Sequence, residues 1–95
     1  MKIMISQPMG GKTGKQIRDE RKYLVQELES EGHEVIDTIV ENFNDEVSPV
    51  YYLSKAIELL DKADAVVFMK GWEKARGCIV EHEIALMYHK FIKEL

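Results

Sequence analysis

Four consecutive apolar residues, Ala65-Val66-Val67-Phe68, stand between Asp64 and Met69 with no polar position among them. A sheet with one wet face alternates apolar and polar residues along each strand, so an unbroken run predicts a strand covered on both sides. A parallel sheet between two layers of helices meets that condition. Lys2–Ser6 reads as an earlier short buried strand, and Glu34 to Thr38, extending towards Val40, as another. Helical patterns separate the three, and Phe91–Leu95 predicts a short fourth strand. Strand and helix alternation of this kind predicts an α/β chain with a three-layer α/β/α arrangement around a small parallel sheet of three or four strands.

Local signals place the helices. Thr13 followed by Gln16 has capping-box spacing and marks a helix start. Ile17, Leu24, Val25 and Leu28 then recur at helical spacing, and Gly32 closes the run. The acidic stretch Glu41–Glu46 reads as a solvated loop. Ser48 before Pro49 is an N-cap with proline at the first helical position, and Val50, Leu53, Ile57 and Leu60, with Ala56 beside them, predict one apolar face. The last helix is expected over Cys78–Lys90, burying Val80, Ile84, Met87 and Phe91. In a Rossmann- or flavodoxin-like fold of this order, ligands bind outside the carboxyl ends of the strands. Two loops fall there, residues 7–13 and 70–77, and they hold the most unusual residues of the chain.

Ninety-five residues suit one domain, 1–95, whose site is compact or shared between subunits. The net charge of −4 argues against a partner such as a nucleic-acid polymer, which needs a broad basic surface. The lone Cys78 has no internal disulfide partner, so a reducing cytoplasm is the expected location. The start, Met1-Lys2-Ile3-Met4-Ile5, lacks a signal-peptide core, and the apolar run ending at Met69 is far too short to span a membrane.

The first loop, Ser6-Gln7-Pro8-Met9-Gly10-Gly11-Lys12-Thr13, is a phosphate-loop pattern with Ser in place of the first Gly. Pro8 removes a backbone donor that a phosphate nest would use, so a looser sugar- or phosphate-facing loop and a plain turn both stay open. In the second loop, Gly77 should sit at a helix entrance with Glu81 in the first turn or so. There the helix dipole favours an ionised carboxylate, able to act as a nucleophile; ordinary N-terminal helix charge is the other reading. No metal is expected: His82 and His89 are seven apart, and a zinc-type HExxH would need His where Leu86 stands. Glu81, His82 and Glu83 also point about 100° apart in turn. His33 reads as a turn residue. Cys78 is either a thiol activated at a helix N-terminus or a small buried residue. Trp72 offers a face to a base or sugar, to a dimer partner, or to its own loop.

The Gln7-Pro8-Met9 loop, Ala63-Asp64-Ala65-Val66, and Gly71-Trp72 through Ala85 together resemble the nucleoside 2-deoxyribosyltransferase-like superfamily, and within it a group of small uncharacterised phage and prophage proteins. The resemblance implies that Glu81, four residues after Gly77, is a nucleophile that attacks the anomeric carbon and releases the base, with water or a second base completing the reaction. It implies substrate contacts from Gln7, Pro8, Met9, Gly10, Gly11, Trp72, Arg76 and Gly77, a small nucleoside or nucleotide as ligand, no cofactor, and a homodimer or higher homo-oligomer. Those enzymes usually carry an aspartate eight residues before the position of Asp64, to help protonate the leaving base. Here that place holds Ala56. Two readings follow: a deoxyribosyltransferase or N-glycoside hydrolase, and a nucleotide-binding or sequestering module without turnover. A minor third, a phosphate-loop nucleotide binder, predicts Mg²⁺-dependent ATP binding through Lys12.

Overall fold

A computed structural model describes residues 1–38 and 48–95. Among them lie strands β1 (Lys2–Ser6), β2 (Glu34–Ile36), β3 (Ala65–Phe68) and β4 (Phe91–Glu94), and helices α1 (Gly14–Ser30), α2 (Pro49–Lys62) and α3 (Arg76–Met87), with a 3₁₀ turn at Trp72–Lys74. The strands form one parallel sheet in the order β2-β1-β3-β4. The α/β, three-layer fold expected from the apolar run is the one observed. Val40 and the acidic stretch Glu41–Glu46 lie outside the described residues.

The strand order dictates where the helices go. The chain steps from β1 to β2 in one direction, then back past β1 to β3 and on to β4. Right-handed crossovers therefore put α1 on one face and α2 with α3 on the other. Side chains alternate accordingly. Ile3, Ile5, Ala65 and Val67 pack with Leu28, Leu24 and Val25 of α1. Met4, Val66 and Phe68 pack with Leu60, Ala63 and Ala85 on the opposite side. All four residues of β3 are buried, which is why that segment has no polar position. Phe68 is fully buried, and truncating such a side chain to alanine costs about 3–5 kcal/mol.

Helix ends follow the local chemistry. Gln16 N donates to Thr13 Oγ1 at 3.1 Å and Thr13 N donates to Gln16 Oε1 at 2.8 Å, completing the capping box of α1. Its other end closes on Gly32 at φ +90°, with Gly32 N donating to Glu29 O and His33 N to Leu28 O. Ser48 Oγ accepts from Val50 N at 3.2 Å to start α2.

Several boundaries and faces differ from expectation. α3 runs from Arg76 to Met87 rather than from Cys78 to Lys90. It stops because His89 adopts φ +60° and Lys90 N donates to Ala85 O, the same closing motif that Gly32 makes for α1. β2 stops at Ile36 and β3 at Phe68. The buried line of α3 is Cys78, Glu81 and Ala85, with Ile84 partly buried, while Val80, Met87 and Phe91 are exposed. Small Ala85 lets the helix sit close over Val66 and Phe68, and that orientation turns the larger apolar side chains outward. On α2, Val50 is exposed too; Leu60 carries the contact.

Candidate functional site

The order in which strands are added to the sheet reverses between the parallel neighbours β1 and β3, and the carboxyl ends of these strands are where an open α/β sheet leaves a crevice. Met69 N donates to Ser6 O at 2.9 Å and holds the two strand ends side by side. Helix α3 starts nearby on Ala75, whose side chain caps nothing. Gly77 is its second residue and Glu81 lies in its second turn, slightly deeper than expected.

The buried polar side chains among the described residues are Ser6, Gln7, Arg21 and Glu81. They come from β1, the residue after it, α1 and α3. Arg21 Nε donates to Gln7 Oε1 at 2.8 Å and Arg21 Nη1 to Thr38 Oγ1 at 3.0 Å. Gln7 Nε2 in turn donates to Ile17 O at 3.1 Å and Glu20 Oε2 at 2.9 Å. Three enclosed atoms have no hydrogen-bond partner: Ser6 Oγ, Arg21 Nη2 and Glu81 Oε2. Leaving such a group unpaired costs about 1–3 kcal/mol.

Glu81 is 8% exposed. Burial pushes its carboxyl up to about 7, opposed by the Ser6 hydroxyl close by and by the Arg21 guanidinium. Its outer oxygen Oε1 lies towards Gly77, where an added Cβ would stand 3.9 Å from it and 3.9 Å from Leu53 Cδ1. Cys78, also buried, has its thiol pushed up by burial, with Ser6 opposing and Glu81 adding to the rise. That is the small buried residue of the two readings, not an activated thiol.

A family model described as "Domain of unknown function (DUF4406)" matches residues 1–94. The chain belongs to that family. No curated protein matches it. The matched stretch includes each of the four buried polar residues.

The remaining expected site residues divide into two groups. Pro8 and Trp72 come to the Glu81 side of the sheet. A Cβ on Gly71 would stand 3.7 Å from Pro8 Cγ, so the two loops touch. Trp72 stacks flat on His82, ring centroids 4.2 Å apart at 12°, beside Phe68. His82 Nε2 lies 2.7 Å from Glu94 Oε1. Gly77 is half-buried and Arg76 is exposed at the helix start. Gln7 is present but turned inward, holding Arg21 rather than facing a cleft. Met9, Gly10 and Gly11 form a tight turn in which Lys12 N donates to Met9 O and Gly11 takes φ +74°. Lys12 Nζ is 3.0 Å from Glu20 Oε2. The turn thus uses the Lys12 N–H and ammonium internally, against the phosphate-loop arrangement.

Sequence reasoning missed Ser6 and Arg21. Arg21 was legible, since it stands in the Ile17-Arg21-Leu28 line of α1 where every neighbour is apolar; a charge there is either paired or functional. Among the described residues no three His, Cys, Asp or Glu side chains gather as metal ligands, and no helix is long and apolar enough to cross a membrane.

Proposed function

We propose that the chain binds a nucleoside or nucleotide at the carboxyl ends of β1 and β3 and cleaves or transfers its N-glycosidic bond, with Glu81 as nucleophile. The observation that carries this reading is the Glu81 carboxyl, enclosed at the crevice, poised near neutrality and with one oxygen towards Gly77. An ionised Glu81 Oε1 forms a bond to the anomeric carbon as the carbon–nitrogen bond breaks, and the electron pair leaves with the base, which takes a proton from water. Water or a second base then attacks the anomeric carbon and frees the carboxylate. Positive charge building on the sugar favours the ionised carboxylate in the transition state over the ground state. Trp72, Arg76 and the loop through Pro8 would hold the sugar, base or phosphate.

A second reading, a binder without turnover, is favoured by one observation. No other buried carboxylate joins Glu81 among the described residues, and Ala56 stands where a proton donor is wanted. Incubation with a panel of 2′-deoxynucleosides and their 5′-monophosphates, following free base, separates the two. Release above a Glu81→Ala control supports the enzyme; a ligand-induced rise in Tm with no release supports the binder. Exposed Val80, Leu86 and Met87 on α3 support association of two copies, which sedimentation measures directly.

A further inference from the structure

We propose that His82 is a positioning residue of this site: oriented by Glu94, its ring fixes the plane in which the Trp72 indole meets the base of a ligand. The inference rests on a nucleoside or nucleotide occupying the crevice, but its first readout is Trp72 itself.

Three elements assemble the cluster. In the parallel register of β3 and β4, Phe68 stands beside Glu94, and Leu95 N donates to Phe68 O at 2.9 Å. Register partners point to the same face of a sheet, and here it is the face that carries Ala85 and Ile84 of α3. His82 of α3 meets both partners. Its ring stands edge-on to Phe68 with centroids 4.9 Å apart, and its Nε2 lies 2.7 Å from Glu94 Oε1. A carboxylate only accepts, so Nε2 holds a proton and donates it, which sets the orientation of the ring.

Trp72 is laid on that ring. The indole stacks on the imidazole at 4.2 Å and 12°, and it meets Phe68 at 5.4 Å and 53°. Gly71, at φ +93°, turns the chain into the 3₁₀ turn that carries it. The half-buried indole therefore has its plane set before a ligand arrives. An aromatic surface ordered in advance takes up a flat base without the entropic cost of being ordered.

Two relationships put this surface at the proposed site. His82 follows Glu81 directly on α3, so the residues holding the acting carboxyl and supporting the indole have Cα atoms about 3.8 Å apart. The residue before Trp72 also reaches the first loop, since a Cβ on Gly71 would stand 3.7 Å from Pro8 Cγ. Packing alone does not ask for histidine here. A leucine would fill space against Phe68 and Trp72 with no polar atom to satisfy, whereas the His82 side chain is 17% exposed and relies on Glu94 for an acceptor.

The test follows the near-ultraviolet circular dichroism of the indole and the Kd of a 2′-deoxynucleoside 5′-monophosphate. It compares the unmodified chain with His82→Ala, Glu94→Ala, Glu94→Gln and Trp72→Ala. Trp72 is the only tryptophan, so the indole bands are its own. His82→Ala and Glu94→Ala should flatten those bands, and Glu94→Gln, which keeps an acceptor, should retain them. His82→Ala should raise Kd by about 2- to 10-fold, as loss of an ordered aromatic stack does, and should add nothing in a Trp72→Ala background. Unchanged indole bands in His82→Ala overturn the proposal. So do flattened bands with an unaltered Kd, and so does a loss of affinity that persists in full without Trp72. Should His82→Ala fail to fold, Glu94→Ala, at an exposed residue, carries the same comparisons. Indole bands that respond as expected in a chain binding no nucleotide support His82 as the residue that sets Trp72 and overturn the nucleotide reading instead.

Discussion

Gln7 Oε1 accepts a hydrogen bond from Arg21 Nε at 2.8 Å, with both side chains buried. The residue expected to face a ligand instead orients the one buried cation found among the described residues. Replacing Gln7 by Leu leaves Arg21 Nε enclosed without an acceptor, and leaving a buried donor unsatisfied costs about 1–3 kcal/mol. Urea denaturation should show that loss for Gln7→Leu. The double variant Gln7→Leu/Arg21→Leu should lose less than the two single losses added together, because both halves of the polar contact are then gone.

His89 closes α3 with φ +60°, a conformation that strains any residue with a Cβ by about 1–2 kcal/mol. His89→Gly should therefore raise stability by roughly 0.5–1 kcal/mol after glycine's greater freedom in the unfolded chain is counted. Thermal or urea unfolding checks it, and a loss of stability would mean that the His89 side chain does more than cap the helix.

Glu81 makes stability fall as pH rises. Its folded carboxyl is pushed from 4.5 to about 7, so between those values the folded chain holds a proton that the unfolded chain has released. The contribution is fully present below about 4.5, is lost as pH rises through about 7, and is constant above. The whole span is worth about 3 kcal/mol. Glu81→Gln removes the penalty, so its stability relative to the unmodified chain should grow by about that amount between pH 4.5 and pH 8. A difference that does not change with pH contradicts the burial argument.

The layout was legible where one local signal decides the outcome. The continuous apolar run of β3, the Thr13–Gln16 box and the Ser48-Pro49 start each carry their own explanation, and each was found as expected. α3 was read less well for two physical reasons. Its end is set by a histidine in the left-handed region, where a glycine would have been the visible signal. Its buried line runs through Cys78, Glu81 and Ala85, so following the largest apolar residues led to Val80 and Met87, which face water. The site divided in the same way. Glu81 was reached from its place near a helix start, Arg21 was legible as a charge in the apolar line of α1, and the burial of Ser6 follows only once β1 is placed inside the sheet.

Trp72, the only tryptophan of the chain, has one face on the His82 ring. If its open side receives the base or sugar, ligand binding should change its fluorescence, and Trp72→Ala should weaken binding by roughly 2- to 10-fold, as loss of an aromatic stack does. Titration of the emission with a 2′-deoxynucleoside 5′-monophosphate measures both. Saturable binding with unaltered emission and an unaffected Trp72→Ala would place Trp72 in loop packing alone.

The central claim is that Glu81 bonds to the sugar. Acid quenching during turnover of a 2′-deoxynucleoside, followed by peptide mass spectrometry, should find one deoxyribosyl group on the peptide holding Glu81 and none in Glu81→Gln. Base release that proceeds undiminished in Glu81→Gln, with no sugar on that peptide, would contradict it.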